Sequence, residues 1–400
     1  MESIYLVAAF WFLAAVLSTA LASRLKISIA LMEIVVGCVI GFIAFKLGYF
    51  DKLSLQASWL KFCTGLGAML LTFLAGAELN PDVMKTKIKE VCVVGLIGFA
   101  APFAGCVLIA YFLIGWNLQA SLLCGIALST TSMAVVYAVM IEYGFNKTEF
   151  GKGILGACFV NDLGTVIALG LIFAPFTYKT VIFVVVTVIL IFTIQPVTDY
   201  LIRRYAYKTA AIRAKWIIFI LLACGVLALW SGSEPVLPAY ILGMVLARTM
   251  EKDGHFVRRL RTLTVGFLTP LYFLRAGALV SIPELVAAPV IFLILLVGKV
   301  ASKIFGLYPA IHRFREDNKE KWYYTLLMST GLTFGTISAL YGLTNHIITQ
   351  AQYSFIVGAV IASAVIPTII ANKFFLPSHL LEEPLLDDQA PDEKDIEKGL

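Results

Sequence analysis

The sequence predicts an all-α polytopic membrane protein, and three observations indicate that fold class. Of its 400 residues, 60% are hydrophobic and only 14% are charged, whereas soluble proteins carry about a quarter charged residues. Apolar runs of about 20 residues recur from end to end, and each can cross a bilayer core about 30 Å thick. Basic residues concentrate in alternate loops between these runs. The chain is therefore expected to cross a membrane many times.

The apolar runs predict thirteen membrane-spanning helices. They cover residues 3–22, 27–46, 57–80, 87–114, 118–141, 151–175, 179–202, 213–231, 235–250, 259–280, 284–311, 322–344 and 350–375. The first is expected to be a retained helix rather than a cleaved signal peptide, because Glu2 and no positive residue precedes it.

Basic residues follow every odd-numbered span, and this pattern predicts the orientation. Lys85, Lys87 and Lys89 follow span 3, for example, whereas the loops after even-numbered spans contain few basic residues. Because cytoplasmic loops carry the excess of Lys and Arg, the N-terminus is expected outside and the C-terminus in the cytoplasm, in the plasma (inner) membrane. The net charge of +6 therefore reflects topology and does not indicate a nucleic-acid partner.

Signatures of soluble enzymes and of cofactors are missing from the sequence. The seven cysteines form no C-x-x-C pair, and the four histidines lack metal-ligand spacing. No nucleotide-binding glycine motif occurs outside a span. We therefore expect no cofactor and no enzymatic activity. The acidic tail after Pro377 is expected to be disordered.

Three pairs of weakly similar segments indicate an internal repeat. "FLAGAELNPDV" (73–83) resembles "FLRAGALVSIPEL" (273–285), and two further pairs share the offset of about 200 residues. That offset equals seven spans, so corresponding helices cross in opposite directions and form an inverted-topology repeat, which is common in secondary transporters. The predicted parts are a first repeat, a linker span with its basic loop, a second repeat and the acidic tail, covering residues 1–178, 179–212, 213–376 and 377–400.

Asn161 and Asp162 place an amide and a carboxylate inside the apolar sixth span. Asp162 lies about ten residues into that span, and hence about 15 Å deep. A charged residue at the centre of a helix costs about 2.5–3.5 kcal/mol on insertion scales. The carboxylate therefore predicts an ion or proton site, with a structural polar contact to Asn161 as the alternative.

Hydroxyl-rich segments lie in the middle of spans 5 and 12. They read "STTS" (129–132) and "STGLTFGT" (329–336). Such residues favour a broken helix, because side chains and water can satisfy the freed backbone groups. Crossed half-helix ends near Asp162 would present carbonyls to a cation, and ordinary small-residue helix packing is the alternative. The predicted ion-binding residues are Asp162, Asn161, Thr130, Thr131 and Ser132, with Thr333 as an accessory candidate.

Other charged residues inside spans are candidates for charge compensation. Lys299, near the middle of span 11, is predicted to balance the acid or the half-helix carbonyls, whereas Lys303 is expected to snorkel toward the cytoplasm. Arg275 is a second compensating candidate, with a structural or outer-gate role as the alternative. Glu78 and Glu33 are accessory candidates, and Glu78 is not expected to pair with Arg275 because the inverted repeats place them near opposite faces.

At these positions the sequence resembles the monovalent cation:proton antiporter superfamily, in the branch of bacterial sodium/proton exchangers and Kef-type potassium/proton antiporters. The resemblance implies a mobile core domain with two crossed discontinuous helices and a scaffold domain that forms a homodimer. It also implies Asp162 as the ion-binding acid and Lys299 as the core lysine. The matching segments are "ALMEIVVGCVIG" (30–41), "LLTFLAGAELN" (70–80), "ALSTTSMAVV" (127–136), Asn161–Asp162, Gly298–Lys299 and the glycine-bearing span 12.

The predicted function is a secondary transporter that exchanges Na⁺, K⁺ or Li⁺ for H⁺ by alternating access, with Asp162 binding proton and cation in turn. A single acid indicates electroneutral exchange, although Lys299 is more typical of electrogenic relatives. A cation channel would need a continuous polar pore, and an intramembrane enzyme would need a second catalytic group at depth. A transporter of another small solute, such as an organic anion, is the closest alternative, although the acid would repel an anion.

Overall fold

The computed structural model describes residues 2–25, 28–77, 87–143, 145, 148–173, 177–205, 212–233, 235–251 and 254–380. Within these ranges the chain is helical and contains no strand, so the all-α fold class is confirmed. Glu78 and residues 381–400 of the acidic tail lie outside the described residues.

Helices follow one another with short connections in both halves of the chain. The helices of the first half are α1 (Glu2–Leu25), α2 (Ile29–Lys46), α3 (Ser58–Ala77), α4 (Ile88–Leu108), α5 (Leu118–Ser129), α6 (Met133–Glu142) and α7 (Glu149–Phe173). Helix α8 (Tyr178–Tyr205) links the halves. The helices of the second half are α9 (Ile212–Ser231), α10 (Val236–Glu251), α11 (Gly254–Leu263), α12 (Thr269–Ala278), α13 (Ile282–Ala287), α14 (Pro289–Ile311), α15 (Asn318–Met328), α16 (Thr333–Thr344) and α17 (Gln350–Phe374).

Each predicted span coincides with a helix or with a pair of successive helices. Ten segments of the described chain are long and apolar enough to cross a membrane. The predicted spans 118–141, 235–250 and 259–280 fall on shorter or interrupted helices. A π-helical turn at Ile109–Leu113 extends α4, and another at Thr264–Leu268 joins α11 to α12.

Two of the spans are interrupted in their middle, which confirms the predicted pair of discontinuous helices. Helix α5 ends at Ser129 and α6 begins at Met133, while α15 ends at Met328 and α16 begins at Thr333. Thr130, the first residue of the first interruption, has extended backbone with φ −63° and ψ 152°. We call residues 130–132 the first break and residues 330–332 the second break.

Two helix crossings repeat the same close backbone contact. Helix α3 packs on α10 and α2 packs on α12. A Cβ at Gly76 or Gly243 would collide with the partner backbone at the first crossing, and a Cβ at Gly37 or Gly277 would do so at the second. The repeat offset of about 200 residues relates α2 to α10 and α3 to α12. The two crossings therefore correspond to each other under the repeat, and this correspondence supports a repeated architecture.

The helices pack as two groups, and each group takes helices from both halves of the chain. Helices α4–α7 and α14–α17 form the core group, in which α4 contacts α5, α7 and α14 and both discontinuous helices lie. Helices α1–α3 and α8–α12 form the scaffold group. The groups meet where Tyr240 of α10 donates a hydrogen bond to the Phe159 carbonyl of α7 at 3.0 Å.

Candidate ion-binding site

The two breaks are hydrogen-bonded directly to each other in the centre of the core group. The Ser132 backbone N–H donates to the Thr330 carbonyl at 3.1 Å, and the Thr131 hydroxyl donates to the Met328 carbonyl at 2.8 Å. Interrupting a helix leaves backbone donors and acceptors without intrahelical partners. Hydrogen bonds between the breaks therefore satisfy some of the backbone groups that lack intrahelical partners, and they hold the two half-helix ends in register.

The hydroxyls at the start of each break bond back to the last helical turn. Ser129 and Thr130 donate to the carbonyls of Ile126 and Ala127, at 2.8 and 3.1 Å. Thr330 donates to the Leu327 carbonyl at 2.7 Å at the matching position after α15. The Ser-Thr pairs that align in the sequence thus have a similar local role, which is to end a buried helix by bonding to carbonyls of its last turns.

Asn161 fixes the first break from the neighbouring helix α7. Its Oδ1 accepts a hydrogen bond from the Thr131 backbone N–H at 3.0 Å, and its Nδ2 donates to the Ser129 carbonyl at 3.3 Å. Both ends of the amide therefore bind backbone. The structure gives this predicted ion ligand a positioning role at the break.

Asp162 follows Asn161 on α7 and is 2% exposed. Its Oδ1 atom is buried and has no hydrogen-bond partner in the described part of the protein. An acceptor held in this way costs about 1–3 kcal/mol, and more if it is charged. The carboxylate is therefore an unsatisfied buried group whose stability improves when a proton or a cation binds to it.

Lys303 reaches the first break, and the expectation that it snorkels is wrong. Its side chain is fully buried, and its Nζ donates to the Thr131 hydroxyl at 2.9 Å. Its ammonium also interacts electrostatically with Asp162. Helix α14 packs against α4 on one side and α17 on another, so the face that carries Lys303 points into the core group and not toward a membrane surface.

Lys299 lies on the same face of α14, one turn from Lys303, and its ammonium reaches the second break. It is fully buried and its Nζ has no hydrogen-bond partner among the described residues. A Cβ on Gly331 would collide with that Nζ and would lie 3.3 Å from the Thr130 carbonyl oxygen. Lys299 therefore stands where half-helix carbonyl ends carry partial negative charge.

Comparison with known proteins identifies the family. The family model described as "Sodium/hydrogen exchanger, transmembrane" matches residues 12–375, which is most of the chain.

The chain belongs to the sodium/hydrogen exchanger family. It is 25% identical over 331 residues to the protein named "Probable Na(+)/H(+) antiporter 3" of Methanocaldococcus jannaschii, covering 79% of this chain and 84% of that protein. It is 23% identical to the glutathione-regulated potassium-efflux system protein KefC of Shigella flexneri, covering 84% of this chain and 55% of that protein. The resemblance stated from the sequence is confirmed.

A solved structure supports the exchanger fold. The sodium proton antiporter MjNhaP1 from Methanocaldococcus jannaschii, solved at pH 8, superposes with a TM-score of 0.68. The match covers 93% of this chain and 99% of that protein at 15% identity. The whole described arrangement, with its crossed breaks, is therefore an exchanger fold.

The remaining predicted residues of this exchanger lie away from the breaks or at their edge. Arg275 of α12 is buried, and its Nε donates to the Leu55 carbonyl at 2.8 Å, so it holds the segment before α3. Glu33 of α2 is buried in the scaffold group. Thr333 is the first residue of α16, where its carbonyl accepts from Thr336. Glu78 lies outside the described residues.

Sequence reasoning missed the contribution of Lys303 to the exchanger's core. Residues 299 and 303 are four apart, so a helix places them on one face, and two lysines on one face of an apolar helix were a usable signal. The position of Lys303, nearer than Lys299 to the end of its span, favoured snorkelling. Position along a span does not show which helices cover the face that carries the lysine. The carbonyl of Met328, which accepts from Thr131, carries no sequence signal.

Proposed function

We propose that the protein exchanges Na⁺ or K⁺ for H⁺ across the membrane, with Asp162 binding the proton and the cation in turn. The observation that carries this proposal is the buried, unpartnered Oδ1 of Asp162 beside two crossed helix breaks. Membership of the sodium/hydrogen exchanger family and the names of the antiporter relatives support the same reaction.

The cation is bound by the carboxylate together with groups of the first break. Thr130, Thr131 and Ser132 are all fully buried next to Asn161. The Thr131 oxygen already accepts a hydrogen bond from Lys303, so a cation that uses this oxygen lies next to the ammonium and is repelled by it. Cation binding at Asp162 and the position of the Lys303 ammonium are therefore linked.

The cost of a buried charge determines in which states the site can switch between the two sides of the membrane. With neither proton nor cation, Asp162 carries a negative charge that water cannot reach, and this is costly. Protonation or cation binding removes that cost, so the core group moves readily against the scaffold group only when the acid is loaded. This requirement makes the exchange obligatory. One acid gives one charge per half-cycle, and hence electroneutral exchange.

The orientation and assembly follow from charge and exposure. The distribution of basic loops favours an orientation with the N-terminus outside and the C-terminus in the cytoplasm, in the plasma membrane. The protein forms a homodimer through the scaffold group, whose helix α8 exposes large apolar side chains such as Val184, Ile189 and Phe192. Lipid covers the apolar surface that the dimer leaves exposed.

The burial of the acid favours a transporter over a cation channel. A channel needs a continuous polar path, whereas Asp162 is almost completely covered by protein. Exchange of an organic anion is disfavoured because the carboxylate repels it and because the half-helix carbonyls already balance Lys299.

The proposal is tested with Asp162→Asn in proteoliposomes that contain a pH-sensitive dye. Sodium or potassium added outside should dissipate an imposed pH gradient in the wild type and fail to do so in the variant, because an amide cannot exchange a proton for a cation. Asp199→Asn is the matched control, since Asp199 of α8 accepts a hydrogen bond from Thr249 at 3.4 Å in the scaffold group. Cation-dependent proton movement by folded Asp162→Asn protein would remove the acid from the mechanism.

A further inference from the structure

A cavity of about 510 Å³ separates the core group from the scaffold group, and the ion site does not open into it. Its walls come from α3, α9, α10 and α12 on the scaffold side and from α16 on the core side. Asp162 and the two breaks are not among its lining residues. The volume falls in the range of about 300–1,000 Å³ that is typical of ligand pockets.

The wall of the cavity is mostly apolar, and apolar side chains extend to its exposed rim. Met69, Ile337 and Leu340 belong to the wall. Phe62 and Leu229 also line it and are 59% and 68% exposed, so apolar side chains lie on the open side. In a bilayer such a rim contacts lipid tails, and a tail can enter sideways from the membrane.

The charged side chains that line the cavity are both cationic. Lys61 is exposed at the start of α3, and Arg275 is 5% exposed in α12. Arg275 uses only its Nε, for the Leu55 carbonyl, so its two Nη groups make no hydrogen bond to the described residues. Among the residues that the structure describes, no acidic side chain lines the cavity. This charge pattern opposes passage of a cation and suits an anionic group.

We propose that this cavity binds an anionic phospholipid, with one acyl chain against the apolar wall and the phosphate group beside Lys61 and Arg275. The acyl chain explains the apolar lining and the exposed rim. The phosphate supplies acceptors for the open Nη groups of a buried guanidinium, a pairing that Arg geometry favours. With the orientation proposed above, the lipid enters from the outer leaflet.

The lipid site is tested by native mass spectrometry of delipidated protein titrated with phosphatidylglycerol or with phosphatidylcholine. A Cβ on Gly65, which lines the cavity, meets no atom within 4 Å, so Gly65→Leu adds an apolar side chain at a lining position where its first carbon has open space. Gly266 is likewise open but lies in the π-helical turn outside the cavity, so Gly266→Leu is the matched control. Lys61→Gln removes one of the two charges.

Phosphatidylglycerol should bind the wild type more tightly than phosphatidylcholine does, and Gly65→Leu should weaken its binding about tenfold while Gly266→Leu leaves it unchanged. Lys61→Gln should lower the preference for phosphatidylglycerol about threefold, the effect of one exposed ion pair. Unchanged binding to Gly65→Leu, or equal binding of both lipids to the wild type, would overturn the proposal. The titration measures no exchange, so its failure leaves the function of Asp162 untouched.

Discussion

The ammonium of Lys303 and the carboxylate of Asp162 share one buried region of the core group. Lys303 is the ammonium that acts electrostatically on Asp162, whereas Lys299 contacts the second break at Gly331. In surroundings with little water the field of such a charge is weakly screened. The Lys303 ammonium therefore opposes the binding of any cation, including a proton, at Asp162.

Replacing Lys303 with Met should shift the pH profile of exchange toward higher pH. Without the ammonium a proton binds more firmly at Asp162, so a higher pH is needed before the acid is deprotonated and can take up sodium. We expect a shift of about one pH unit, equivalent to about 1.4 kcal/mol. The measurement is dye-monitored exchange across a pH series in proteoliposomes, at sodium concentrations well below saturation so that sodium does not itself drive off the proton.

The comparison variant is Lys299→Met, whose ammonium lies at Gly331. Its profile should move less than that of Lys303→Met. A Lys303→Met profile that matches the wild type would show that the ammonium does not influence binding at the acid.

The proposed ion-binding acid could be predicted from the sequence, because a carboxylate in an apolar span is energetically costly whatever surrounds it. The different roles of Asn161 and Asp162 could not be predicted. They depend on the break of a helix about thirty positions earlier, which receives both hydrogen bonds of the Asn161 amide.

Among the helices, α7 supports the first break through the two hydrogen bonds of Asn161. Asn161→Ala would leave the Thr131 N–H and the Ser129 carbonyl unpaired in a buried region. Each lost partner costs about 1–3 kcal/mol, so the free energy of unfolding should fall and the melting midpoint of the purified protein should drop by several degrees. The measurement is a thermal melt followed by intrinsic fluorescence.

A suitable control for the melt is Asn318→Ala. Asn318 is exposed and accepts one hydrogen bond from the Tyr308 hydroxyl at 3.2 Å, so this change should alter the midpoint little. Equal midpoints for Asn161→Ala and the wild type would contradict the bracing role of Asn161.

Both interrupted helices were predictable from their Ser, Thr and Gly content, because these residues end buried helices at low cost. The hydrogen bond from Ser132 to Thr330 was not predictable. It joins two segments about 200 residues apart, and sequence similarity between two segments does not show that they touch.

For the whole molecule, the proposed mechanism requires the core group to move against the scaffold group. Helices α7 and α10 belong to different groups and meet where a Cβ on Gly170 would lie 3.0 Å from Leu237 Cδ2. A disulfide between Gly170→Cys and Leu237→Cys, in a background without the native cysteines, should abolish exchange by locking the groups together. A reducing agent should restore it.

The single variants Gly170→Cys and Leu237→Cys control for the substitutions themselves. Full exchange by the oxidised double variant, with the cross-link verified by mass spectrometry, would contradict movement at this boundary.

The division of the helices into two groups could be predicted only in part from the sequence. The inverted repeat was visible as an offset of about 200 residues between similar segments. The partner of each helix depends on crossings such as that of Gly76 with Gly243, where two backbones touch. A glycine in an apolar run predicts that another helix packs closely there, but it does not identify that helix. The repeat was therefore predictable from the sequence, whereas the boundary between the two groups was not.

Competition between proton and cation at Asp162 is tested most directly by the affinity of the purified protein for sodium at several pH values. Isothermal titration calorimetry should give a Kd that rises about tenfold for each unit fall in pH once protons occupy the acid, because one proton is displaced for each sodium bound. Asp162→Asn should lose this dependence together with sodium binding. A Kd that stays constant with pH, or pH-dependent sodium binding by Asp162→Asn, would contradict the account.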